Sequence, residues 1–295
     1  MERSELLEKI HKVELEMLIE FDRVCKELGL RYTLSFGTML GAVRHGGFIP
    51  WDDDVDVAMP REDYERFIKE APKVLDNEKY TVEHFSTDPN VRQIFAKLRN
   101  NKTTFCQLET LGTKVNQRMW LDIFPVDRVP NNEKYHQKLI KKHALYWRLQ
   151  WYDSKQYRKT MDSKLKRILA WCMGWISKMC GGHHALLIKE EKMNMKYLGD
   201  LSATYTVGGD DLNKAWMPYD FFENYTKIKF EGYEFSVVAN YDEYLRELYG
   251  DYMVLPPEDQ RQTHIASLVD CDTPYTEYID DKGNLKEGVV VDKVK

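Results

Sequence analysis

Ser-Phe-Gly-Thr-Met-Leu-Gly-Ala-Val-Arg-His-Gly-Gly-Phe-Ile-Pro-Trp-Asp-Asp-Asp-Val-Asp-Val-Ala-Met-Pro, residues 35–60, is the stretch whose reading decides the fold. It leaves a short strand read over residues 31–36 and turns at Gly37-Thr38 into a helical stretch from Thr38 to Arg44. A turn through residues 45–50 then leads into a second strand around Asp54–Ala58. Asp is depleted in strands, yet four of the five positions 52, 53, 54, 55 and 56 are Asp. Two residues apart on a strand, Asp54 and Asp56 point to the same face. Bare carboxylates so placed repel each other, and a hard divalent cation, Mg²⁺ or Mn²⁺, removes that penalty. At the strand-to-helix junction, free N–H groups and the helix dipole favour a phosphate. Gly37 allows its close approach, and Thr38 adds a hydroxyl. An Asp-rich turn is usually a solvated loop, and a lone Gly-Thr means little. Their order and closeness predict metal-assisted phosphoryl chemistry.

Outward from this stretch, apolar residues from Leu6 to Leu28 fall largely at helical spacing, and Gly29 closes the pattern. Downstream, Arg61 to Lys73 reads as helix, and Tyr80–His84, Ile94–Leu98 and Trp120–Phe124 read as strands. Residues 1–130 are thus expected to form an α/β, mixed-sheet catalytic core. Asp122 lies between apolar neighbours on a strand, where an unpaired buried charge is expensive, and is the expected third metal carboxylate. Asp127 is the reserve, read as a turn residue. Residues 131–217 are expected to be a helical, basic region and 218–270 to pack back on the core. Residues 271–295 read as a peripheral tail, with a turn at Lys282-Gly283-Asn284.

The 295 residues are 43% apolar and 31% charged, which excludes a disordered or membrane-embedded chain. A net charge of −5 speaks against a nucleic-acid partner. The five scattered cysteines lack any C-x-x-C pair and suit a reducing compartment. With no signal peptide or spanning segment in the sequence, the expected location is the cytoplasm. Positions 133–180, however, carry twelve Lys or Arg against three acidic residues. Within them, Lys164 to Lys178 mixes cations with large apolar groups. It could lie in a membrane interface; a packed helix with a solvated basic rim is the preferred expectation.

Residues 37–57 closely resemble the signature of the LicD family of phosphotransferases, which includes the fukutin-related proteins. The resemblance extends to Phe21-Asp22 through Gly29, Arg61-Glu62-Asp63-Tyr64, Ala96-Lys97-Leu98-Arg99 and Leu121-Asp122-Ile123-Phe124-Pro125. It returns at Tyr241-Asp242-Glu243-Tyr244-Leu245, Tyr249-Gly250-Asp251-Tyr252-Met253 and Leu255-Pro256-Pro257, and covers the helical middle least. It implies a nucleotidyltransferase-like fold that moves a phospho-group from a nucleotide to a glycan hydroxyl. Gly37 and Thr38 match the phosphate-binding turn, Asp54 and Asp56 the metal pair, and Asp122 the third acid. Arg44 is expected to bind donor phosphate or to pair with the aspartates, and His45 lies beside it in the signature. Lys97 and Arg99 would share a strand face toward phosphate, Arg99 being the better candidate for a solvated edge.

In the bacterial branch the resemblance implies phosphocholine transfer from CDP-choline to a glycan or lipid-linked glycan, as in teichoic acid or lipopolysaccharide. A quaternary ammonium is read by aromatic faces, and Trp51 and Trp120 are the candidates, with core packing as their alternative. Two other functions compete. A glycosyltransferase would need several βα units before its acidic pair, and only one helix and one strand precede Gly37. A non-catalytic glycan-binding protein on this fold would be expected to have lost an acid. A CDP-alditol donor is the alternative within the same chemistry.

Overall fold

Residues 3–107, 110–152, 154–159, 161–207, 216–261 and 268–289 are described by the computed structural model. The end of the expected tail, 290–295, lies outside the described residues. The helical spacing near the start forms α1 (Arg3–Leu28), and Gly29, at φ +64°, ends it in the left-handed conformation that glycine adopts freely. Met17, Leu18, Phe21 and Val24 form a fully buried stripe and lay α1 against the sheet.

The chain then runs through β1 (Thr33–Leu34), α2 (Phe36–His45), β2 (Asp56–Pro60) and α3 (Arg61–Glu70). It continues through β3 (Tyr80–Glu83), β4 (Ala96–Asn100), β5 (Thr104–Cys106) and β6 (Trp120–Val129). One mixed sheet has the order β1-β2-β6-β4-β3, with β7 (Tyr205–Val207) pairing the far end of β6. The β2–β6 pair is parallel and places Asp56 opposite Asp122; the other pairings in this sheet are antiparallel. The α/β, mixed-sheet class read from the sequence is the observed one.

Several boundaries differ from the expected ones, β6 running five residues longer, and two of the differences flank the acidic stretch. β1 keeps two of the six residues expected, and β2 starts at Asp56, so Asp54 precedes the strand. The cause is a turn, in which the Asp52 N–H donates to the Ile49 carbonyl at 2.9 Å. The chain becomes bonded to the sheet only at Val55, whose carbonyl accepts from the Asp122 N–H at 2.8 Å. β5 escaped the sequence reading because three residues between polar neighbours show no alternation. It pairs with β10 (Leu268–Asp270).

The helical middle comprises α4 (Glu133–Tyr152), α5 (Lys155–Lys159), α6 (Lys164–Met179) and α7 (Gly182–Asn194). α6 packs on α4 and α7, but through the small Ala170, Gly174 and Ser177, so that the large Trp171 and Trp175 are left more than half exposed and the basic residues are exposed as well. β8 (Tyr225–Phe230), β9 (Tyr233–Val238) and α8 (Tyr241–Tyr249) return to the core, where Phe230, Phe235, Tyr244 and Leu245 join the main cluster. The tail makes the expected turn, closed by an Ile279–Leu285 bridge. No described helix is long and apolar enough to cross a membrane.

Candidate active site

The site begins where β1 breaks into α2. Phe36 takes φ +42°, a strained conformation for a non-glycine residue. Just behind it, Ser35 Oγ and the Tyr244 hydroxyl share a buried 2.6 Å hydrogen bond. One turn into α2, Thr38 Oγ1 accepts from the Asp56 N–H at 2.8 Å, so the start of β2 hangs on the first turn of α2. Gly37 leaves room for a close neighbour: a Cβ there would sit 2.6 Å from Asp52 Oδ2, and the Asp52 side chain would have to shift. The Asp52 carboxylate therefore lies beside the helix start where the sequence suggested a phosphate, and negative charge suits that end of the dipole.

Asp56 and Asp122 face each other in register on parallel strands, and both are nearly buried. Asp53 is buried beside them, and Asp54 is half-buried on the approach to β2. Trp120 Nε1 donates to Asp122 Oδ2 at 3.0 Å, and Lys97 Nζ stands 2.6 Å from Asp122 Oδ1. A further acid was missed by the sequence reading. Glu14, on α1, is 2% exposed, and its Oε2 has no hydrogen-bond partner. Burial raises its pKa well above the carboxylate range, and the charges of Asp54, Asp53, Asp52 and Asp122 push it further. The signal was present in the sequence: Glu14 falls at helical spacing within the stripe Ile10, Met17, Leu18 and Phe21.

These residues suit a hard cation. Their donors are all oxygen, they are largely removed from water, and Glu14 Oε2 lacks a donor. Among the described residues no three such side chains already converge as a cage; Asp122 instead pairs with the Lys97 ammonium. Asp54, Asp56, Asp122 and Glu14 are the residues that could hold a metal.

A cationic edge borders the acids. Arg44 donates to the Tyr252 carbonyl at 2.9 Å and to His45 Nε2 at 3.0 Å, so its described partners are not the aspartates. Burial and Arg44's charge lower the His45 pKa. Arg261, which the sequence reading did not single out, lies over the Trp51 ring at 4.6 Å and is close enough to depress Arg44's pKa, after burial. The face of Trp51 is thus occupied by a guanidinium.

On the other side of Asp122, Lys97 lies 4.3 Å from the centre of the Trp120 ring. Both residues line a cavity of about 270 Å³, whose walls include Phe95, Phe105, Trp147 and Trp151. Its floor holds Glu190, a buried carboxylate bonded to His143 and to Gln150 Nε2. Arg99 is not a solvated edge. It is 3% exposed and makes a two-pronged pair with buried Glu83, at 3.0 and 2.8 Å. Burial would raise the Glu83 pKa, but Arg99 outweighs it and holds the carboxyl below its ordinary value.

Asp127 is likewise no turn residue. It is buried on β6 and takes both prongs of Arg61, at 2.7 and 2.6 Å. His183 and His184 meet the carbonyls of Pro89 and Phe85, which makes them fastenings of α7.

The description LicD/FKTN/FKRP, nucleotidyltransferase domain, matches residues 29–167, a span that contains α2, both acidic strands and Lys97. The lipopolysaccharide cholinephosphotransferase LicD of Haemophilus influenzae is 34% identical over 261 residues, 85% of this chain and 92% of that protein. The human ribitol 5-phosphate transferase FKRP is 52% identical over 40 residues, 14% of this chain and 8% of that protein. A likeness that runs through most of both chains in the first case, with the acidic strands inside the matched domain, shows that this chain belongs to the LicD family of transferases.

Proposed function

We propose that this enzyme transfers phosphocholine from CDP-choline to a hydroxyl of a cell-surface glycan precursor, with Mg²⁺ as its metal. One observation carries the reading. Asp122, in register with Asp56, is held by Lys97 and Trp120, and those two residues also line an aromatic-walled cavity with a buried carboxylate. A trimethylammonium has no N–H to donate; it needs π faces and negative charge. Trp147 and Glu190 provide both, a better match than Trp51 and Trp151, over whose rings Arg261 and Arg92 lie. The Haemophilus relative is named for cholinephosphate and lipopolysaccharide, which favours an acceptor of that kind.

The reaction is in-line attack of the acceptor oxygen on the β-phosphorus. The new O–P bond forms as the bond to the bridging oxygen breaks, and CMP leaves with the electron pair. When bound, the metal neutralises phosphate charge and lowers the acceptor hydroxyl's pKa. Asp54, Asp56, Asp122 and Glu14 would hold it. Thr38 keeps Asp56 in place, and Arg44 with Arg261 offers positive charge to the diphosphate. Lys97 exchanges Asp122 for a phosphate oxygen as donor enters.

The test is incubation with Mg²⁺ and a panel of CDP-alcohols, reading CMP release with and without candidate glycans. CDP-choline should be the preferred donor, with release stimulated by glycan and abolished by chelation. Preference for CDP-ribitol, the direction in which the FKRP likeness points, would overturn choline and keep the chemistry. No metal-dependent release from any CDP-alcohol would overturn both.

A further inference from the structure

We propose that α6 docks the protein on an anionic membrane surface, lying in the plane of the interface with its apolar side in the lipid. The helix is turned the opposite way from a core helix. Ala170, Gly174 and Ser177 make the buried stripe, and α4 is its neighbour. At about 100° per residue, Leu165, Ile168, Leu169, Trp171, Trp175 and Ile176 fall within an arc of roughly 160° on the other side. Met179 and Cys172 lie inside the same arc. The exposure is large: 76% for Leu165, 54% for Trp171, 56% for Trp175 and 85% for Met179. A contiguous apolar surface of this kind on a soluble domain marks an interaction site.

Charge selects the occupant. Arg167 and Lys178 border one edge of the arc, Lys166 lies beyond the other, and Lys164 sits inside it at the first turn. The surrounding residues 133–180 carry twelve basic against three acidic residues, although the whole chain is net negative. An apolar face with a cationic border and two tryptophans fits the boundary between acyl chains and anionic headgroups. A second copy of the chain would set these like charges against each other. Docking also has a geometric result: α4, which α6 packs against, carries Trp147 and Trp151 of the cavity wall. The cavity is thereby held close to the lipid surface. This inference does not depend on which alcohol is transferred.

The test uses the full chain with vesicles of phosphatidylcholine alone or with about 30% phosphatidylglycerol. Co-sedimentation should occur with the anionic vesicles and weaken as salt rises from about 0.05 to about 0.5 M. Trp171→Ser with Trp175→Ser should lower the partition coefficient by about tenfold or more, because the interfacial aromatics are lost. Both positions are exposed, so circular dichroism and Tm should not change. An environment-sensitive label on Cys172, in a Cys180→Ser, Cys271→Ser background, should shift to the blue with anionic vesicles. No binding to anionic vesicles, or binding unchanged in the double variant, overturns the proposal. So does a dimer in light scattering that the double variant dissolves, since a second copy would then cover this face.

Discussion

Asp122 and Asp127 stand five positions apart on β6 and do opposite work. Asp122 faces the acidic site, so Asp122→Asn, like Asp56→Asn, is expected to lower transfer by at least about a thousandfold, several kcal/mol of transition-state stabilisation. Tm should barely move for Asp56→Asn and should fall somewhat for Asp122→Asn, which leaves the largely buried Lys97 ammonium facing a neutral amide. Asp127→Asn removes the buried partner of Arg61 and leaves it Glu65 and Glu191, which costs up to roughly 3–5 kcal/mol of stability. Thermal melts beside CMP release separate the two; a stable, inactive Asp127→Asn protein would reverse the assignment. Glu14→Gln keeps the shape of the side chain and removes a carboxylate whose Oε2 has no donor of its own. Mn²⁺ binding, followed by electron paramagnetic resonance, should weaken about tenfold or more while the metal-free protein melts no lower. Affinity within twofold of wild type would remove Glu14 from the metal set. Legibility differed among these residues for a physical reason. Asp56 and Asp122 could be read because acids are foreign to strands. Asp127 was misread because nothing local announces that Arg61, 66 residues earlier, will meet it.

At the scale of elements, backbone packs closely under α2. A Cβ on Gly41 would come within 2.5 Å of the Gly47 carbonyl oxygen, a backbone atom with nowhere to retreat. Gly41→Ala is therefore expected to displace the loop over residues 46–49, whose Phe48 N–H donates to Glu231 Oε1 in the β8–β9 turn. The loop leads straight into the acidic cluster, so kcat should fall further than Tm predicts; unchanged kinetics would contradict this. The junction of α3 with α7 predicts a pH effect. Burial, Glu65 and Asp127 raise the Glu191 pKa from 4.5 to about 7 against the pull of Arg61, whose charge Asp127 already meets. An acid whose folded pKa lies above its unfolded value favours folding at low pH. That contribution is complete below about 4.5 and is lost as pH rises through about 7. His84, lowered to about 3 by burial and Arg61, works in the opposite sense: stability falls as pH drops below 6.5. The informative quantity is thus a difference. Glu191→Gln should gain Tm over wild type near pH 8 and lose that gain near pH 5; a gap that does not vary with pH would exclude the effect. Helices α1, α2 and α3 could be placed from spacing and glycine alone. β1 could be placed but not bounded, and β5 not placed at all, because two or three residues carry no period.

Across the whole molecule, the mixed sheet and its basic helical insert were foreseeable from pattern and composition. The orientation of α6 was not, since spacing shows which residues share a face and never which face the neighbours take. The cavity was also out of reach: Phe95 and Trp120 from the core meet Trp147, Trp151 and Glu190 from the insert only in three dimensions. Trp147→Leu should narrow the preference for CDP-choline over its uncharged tert-butyl analogue by about two- to thirtyfold, the worth of one cation–π contact. Competition between the two donors reads this directly, and an unaltered preference would take Trp147 out of choline recognition. The bond between Ser35 and Tyr244 spans 209 positions, and Arg44 reaches the carbonyl of Tyr252 across 208. During synthesis, then, the aspartates leave the ribosome long before the residues that brace them. At about 5–20 residues per second, roughly 10–40 s separate the two events. Throughout that interval the nascent chain displays an acidic, half-built pocket, and catalytic competence waits for the segment around Tyr244 and Tyr252.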